Sequence, residues 1–66
     1  MSIKELEAMK AMKAMEAMRN MSIEELETLS AEIKQEIKTE KDLTRLEKLR
    51  NFLSRATGEM ASLRYG

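Results

Sequence analysis

Apolar residues recur along the chain at spacings of three and four, in three blocks of different character. In the first, Leu6 is followed by Met9, Met12, Met15, Met18 and Met21, one every third residue, with Ala8, Ala11, Ala14 and Ala17 between them. A step of three residues advances about 300° around a helix, so the row winds about the axis. Methionine and alanine together coat most of that circumference, a surface that calls for burial against something else. The unbranched thioether suits an adaptable contact.

The second block sets Ile23, Leu26, Leu29, Ile33 and Ile37 in a narrow stripe on an otherwise polar helix. The third runs Leu46, Leu49, Leu53, Ala56, Met60, Leu63, alternating steps of three and four like a coiled-coil seam. Gly58 interrupts it, so the seam is expected to hold only as far as Ala56.

Each block opens on a similar phrase: MSIKELE at 1–7, MSIEELE at 21–27 and, more distantly, KDLTRLE at 41–47. In the second phrase Ser22 is placed to cap a helix by accepting from the Glu25 N–H, with Glu25 reaching back to the Ser22 N–H. Met21 and Leu26 occupy the positions of a hydrophobic staple, and three glutamates favour the positive end of the helix dipole. Ser2, Glu5, Met1 and Leu6 repeat this chemistry in the first phrase. In the third, Asp42 is the N-cap, but Arg45 stands where the reciprocal glutamate would be, and Thr39-Glu40-Lys41-Asp42 offers a competing box. Outside these phrases the blocks differ, which argues for recurring start signals over a repeat array.

The reading is an all-α chain of two or three short amphipathic helices, about 2–19, 22–39 and 42–57, in one domain. Residues 1–20 form a Met/Ala-rich arm, 21–57 a main helix or helical hairpin, and 58–66 a frayed tail. A single long helix from 22 to about 55 is the alternative to a break at 40–42.

Composition narrows the function. The chain has no proline, no cysteine and no histidine. A disulfide framework and the usual zinc, copper and haem ligands are therefore missing. Sixty-six residues seldom supply a core worth more than about 3–5 kcal/mol, and oligomerisation is the support that remains. The expected bundle is thus one completed by dimerisation. Twelve basic residues balance twelve acidic ones, unlike the basic excess of a nucleic-acid binder. No apolar run approaches a membrane span and no signal peptide is visible, which points to the cytoplasm. A copper site in the methionine row is disfavoured because a helix spreads the sulfurs around its axis. A membrane-surface role for the arm is disfavoured by its local charge of only +1.

Through Glu40 the second block holds six Glu against two Lys, whereas 41–66 hold six basic and three acidic residues. Antiparallel or intermolecular pairing of the two is electrostatically favoured. Lys41, Arg45, Lys48 and Arg55 lie along one side of the third helix, a row read as a solvated face. The carboxylates sit at helix starts and on polar faces. No Ser-His-Asp or Cys-His set and no glycine-rich phosphate loop can be assembled. No enzyme, cofactor or small-molecule substrate is expected.

Residues 19–41, RNMSIEELETLSAEIKQEIKTEK, resemble the N-terminal oligomerisation region of the H-NS family of bacterial nucleoid-structuring proteins. Arg19, Ser22, Ile23, Glu24, Leu26, Glu27, Leu29, Ile33, Ile37, Glu40 and Lys41 carry the likeness, as do the arm length and the opening Met1-Ser2. The resemblance implies an arm that folds around a partner's helix in a dimer, and a role in modulating a full-length DNA-binding partner. The Met-Ala triplets depart from the family pattern, a break near residue 41 would shorten the long helix, and the family's DNA-reading loop has no counterpart in the sequence.

The leading expectation is a helical self-association module, a dimer first, or a partner of a related helical protein. Its contact would be formed by Leu6, Met9, Met12, Met15, Met18, Ile23, Leu26, Leu29, Ile33, Ile37, Leu46, Leu49 and Leu53, on helices capped by Ser2, Ser22 and Asp42. Two rivals are an adaptor or chaperone covering a hydrophobic partner, as small helical-hairpin chaperones of secretion systems do, and a monomeric three-helix bundle, natural or designed.

Overall fold

The structure is a computed structural model, described here for residues 2–65. It is all-α among those residues, with four helices in place of the two or three expected: α1 (Ile3–Ala8), α2 (Ala11–Arg19), α3 (Ile23–Thr39) and α4 (Leu43–Tyr65). The helix starts fall where the repeated phrases put them. Ser2 Oγ accepts from the Glu5 N–H at 3.3 Å while the Ser2 N–H donates to Glu5 Oε1 at 3.2 Å. Ser22 and Glu25 repeat the exchange at 3.2 and 3.4 Å. Met21 and Leu26 are both buried, as a staple requires. The corresponding pair of the first phrase includes Met1, which lies outside the described residues.

The third start is built differently, for a reason visible in its departing residue. Asp42 Oδ1 accepts from the Thr44 N–H at 3.0 Å, so the expected cap is present. The Asp42 N–H is satisfied by Glu40 Oε1 at 3.1 Å, from before the helix. Arg45 in turn donates to the other oxygen of Glu40. A carboxylate ahead of the cap thus replaces one inside the helix, and a cation inside the helix holds it there. The competing box is not formed: Thr39 ends α3 and donates its hydroxyl to the Glu36 carbonyl at 3.4 Å.

The three-residue turn folds α4 back along α3, and this hairpin is the frame of the molecule. Its pairing sets the acidic block against the basic one within a single chain. Arg45 joins Glu36 near the turn, and Arg64 joins Glu27 near the far end. The long-helix alternative is thereby excluded. α1 lies against α3 and α2 against α4.

The first segment is not one helix. Met9 and Lys10 are extended, with ψ of 154° and 150°, and no side chain caps α2. Neither residue is a helix breaker, so the interruption is imposed by packing. Ile3, Leu6, Lys10, Ala14, Ala17 and Met21 follow one another at steps of three or four. On a straight helix they would share a face, with Lys10 in its middle. Ile3, Leu6, Ala14 and Met21 are buried and Lys10 is exposed. Burying an unpaired ammonium costs several kcal/mol, far more than about one lost hydrogen bond, and the chain breaks at the lysine instead.

α4 also differs from expectation. It runs unbroken through Gly58 to Tyr65, where a frayed tail was expected from residue 58. Gly58 keeps a negative φ, Met60 packs against the core, and the Arg64–Glu27 pair ties down the last turn. One glycine costs only about 1 kcal/mol in a helix interior, and packing on both sides offsets it.

Leu6, Met18, Leu26, Leu29, Ile33 and Leu49 are the largest side chains fully removed from solvent. Ala14 is 0% exposed, and its small side chain lets α2 approach the hairpin closely. Ser30 is buried among these groups, and its hydroxyl has no hydrogen-bond partner.

Candidate functional site

The residues assigned by sequence to a contact between chains divide into two sets. Leu6, Met18, Leu26, Leu29, Ile33 and Leu49 fill the chain's own core, and Met9, Ile37 and Leu53 pack against it. Ile23 and Leu46 are half-buried at its edge. These positions are covered within one molecule. Met12 and Met15 are the exception, 78% and 38% exposed. Ser2, Ser22 and Asp42 all serve as caps.

The methionine row winds as the three-residue step dictates, which separates its members. Met18 and Met21 turn inward, Met12 turns to solvent, and Met15 lines the border between α2 and α4. There the surface is concave. One hollow of about 240 Å³ is lined by Met9, Ala11, Met15, Lys48, Asn51 and Phe52. A wider one of about 510 Å³ continues along α4 past Ser54, Arg55, Gly58 and Glu59, and again includes Met15 and Asn51. The two share Met15 and Asn51 and so adjoin as one groove. The chain break builds its first end: Met9 and Ala11, which flank Lys10, are both wall residues. Gly58 helps to open its second end, for a Cβ there would meet nothing within 4 Å.

Polar groups rim the groove. Arg55 Nε lies 3.7 Å from Glu59 Oε1, an ion pair too long for a hydrogen bond, and that nitrogen is buried without a partner. Lys48 is exposed at the narrow hollow and makes no ion pair among the described residues.

The densest charge cluster lies elsewhere. Arg45 donates from Nη2 and Nε to the two oxygens of Glu7, at 2.8 and 3.3 Å, and from Nη1 to Glu36 at 3.1 Å and to Glu40. It holds α1, α3 and the turn together. The Arg45 side chain and the Asp42 N–H hold the Glu40 carboxyl below its ordinary value, and the surrounding carboxylates push the Arg45 guanidinium up. Such a carboxylate stays ionised and suits a clamp better than an acid catalyst. The basic row read along α4 is thus divided, with Arg45 and Arg55 occupied by acidic neighbours. Among the described residues no three metal-ligating side chains converge.

Sequence reading did not pick out Ile3, Ala14, Ser30 or Phe52 as core. Ile3 precedes Leu6 by three, and Phe52 sits between Leu49 and Ala56 at steps of three and four. Both signals were present, but a seam drawn through leucines passed over the phenylalanine. Comparison with protein-family models, with curated proteins and with solved structures returns no match for this chain.

Proposed function

We propose that the protein is a non-catalytic helical self-association module, a dimer first, joined through the groove between α2 and α4. The observation that carries this reading is the exposure of Met12 and Met15 beside a concave apolar wall, in a chain whose other methionine and leucine stripes are largely covered. Burying one such side chain contributes about 1.5–3 kcal/mol, and a two-fold contact buries each residue twice. Surface area points the same way. A compact monomer of this mass exposes about 4,300 Å², and this chain exposes 4822 Å².

A heterologous helical partner could use the same face, which is the adaptor reading. That alternative needs a loose fold that tightens on binding, whereas this core is closed without help. The likeness of residues 19–41 to the H-NS oligomerisation region extends the proposal to a related helical protein as partner, including a full-length DNA-binding one, and rests on sequence alone. No helix among the described residues is long and apolar enough to cross a membrane.

Sedimentation velocity of the wild type and of Met12→Ser/Met15→Ser tests the proposal. A wild-type dimer that the double variant reduces to a helical monomer supports it. A wild type monomeric at hundreds of micromolar, or a double variant that associates equally well, refutes it.

A further inference from the structure

Resting on self-association through the α2–α4 face, we infer that the specific lock is Met12 of one copy seated in the narrow hollow of the other, with Glu16 of the first copy paired to Lys48 of the second. The hollow is the more enclosed end of the groove, with Met9, Ala11, Met15 and Phe52 as apolar wall and Lys48 as the only charged residue lining it. Its chemistry asks for an apolar side chain accompanied by a carboxylate. α2 itself presents that pair. Met12 is the most exposed methionine among the described residues, and Glu16, one helical turn further on, is exposed and makes no ion pair among them.

Met12 lies three residues before Met15 on α2, about 60° around the helix axis, so the knob adjoins the wall of its own hollow. A two-fold axis near Met15 therefore lets each copy give and receive at once, which closes the assembly at two and leaves no open end for a filament. Leu43 and Glu47 form a comparable pair, with Leu43 80% exposed. They belong to the other side of α4: five residues separate Leu43 from Lys48, about 500° of turn, so the two diverge by about 140°. A contact through Leu43 would join unlike faces and would not close.

The charge pair sets register and choice of partner more than strength, since exposed pairs are individually weak. Two-fold symmetry doubles every change. Glu16→Lys or Lys48→Glu alone is expected to weaken the dimer about tenfold, because two pairs become two repulsions. The double variant Glu16→Lys/Lys48→Glu restores the association. Equimolar mixing of the two single variants gives a distinct signature: position 16 of each copy then meets the opposite charge at position 48 of the other, so both pairs of the heterodimer are matched and association returns although neither variant pairs well with itself. Leu43→Ser leaves the dimer unchanged.

Analytical ultracentrifugation of these variants, with helicity checked by circular dichroism, decides the matter. Recovery in the double variant supports the lock. A dimer whose single variants weaken it and whose double variant weakens it further, or a dimer that depends on Leu43, overturns the lock while leaving self-association intact. A monomeric wild type overturns both. Glu16, Leu43 and Lys48 are all exposed, so the fold is expected to survive each change.

Discussion

Arg45 in α4 grips Glu7 in α1 by both carboxylate oxygens, Nη2 to Oε1 at 2.8 Å and Nε to Oε2 at 3.3 Å, across 38 positions of sequence. The same guanidinium reaches Glu36 and Glu40. Few apolar groups hold α1, a six-residue helix, so this fork is a large part of what keeps it docked. Arg45→Met is expected to free α1 while leaving the α3–α4 hairpin helical. Hydrogen exchange checks this: amides of residues 6–9 should lose protection, and those of 29–37 should keep it.

Acid should act through the same cluster. The Glu40 carboxyl lies below its ordinary 4.5, chiefly because Arg45 donates to it. Its stabilisation is therefore complete above about pH 4.5 and is lost as pH falls through the lower folded value. Thermal midpoints between about pH 5 and pH 3 should fall less steeply in Arg45→Met than in the wild type, because the main cause of the depression is gone. Equal slopes would place the acid sensitivity in other carboxylates.

The break at Met9–Lys10 is attributed to one ammonium. Lys10→Leu supplies the missing apolar residue in the stripe from Ile3 to Met21, and the two extended residues are expected to become helical. Backbone chemical shifts at positions 9 and 10 report the change directly. Because Met9 and Ala11 wall the narrow hollow, straightening should also weaken association. Persistence of the extended pair in the leucine variant would assign the break to another cause.

Two small substitutions should stabilise the fold. Ser30→Ala removes a buried hydroxyl that has no partner, for a gain of about 1 kcal/mol and a midpoint higher by about 4–8 °C. Gly58→Ala adds a methyl group into open space in a helix interior, worth about 0.5–1 kcal/mol. Urea denaturation at low protein concentration measures both without interference from association. A loss of stability in either variant would contradict the packing described.

How much of this was legible in the sequence depends on the range over which each decision is made. Helix starts are local: Ser22, Glu25, Met21 and Leu26 lie within six residues, and all do as expected. The fold-back at 40–42 was readable as a weaker cap with an opposing charge pattern on each side. The division of the first segment was hidden because Lys10 is a good helix former. Only the face shared by Ile3, Leu6, Ala14 and Met21, once known to be buried, shows what is wrong with it. Gly58 misled in the opposite sense, since local propensity favoured a stop and contacts around Met60 and Arg64 carried the helix on. Periodicity marks which residues seek burial, and it does not say whether the same chain or another one buries them.

Dilution separates those two cases most directly, if particle mass and helix content are followed together from hundreds of micromolar downward. The account expects the mass to fall from dimer to monomer while helicity holds, because the core belongs to one chain and only the Met12–Met15 groove belongs to two. Helicity that collapses along with the mass would show that the core needs a second chain, and the account would fail.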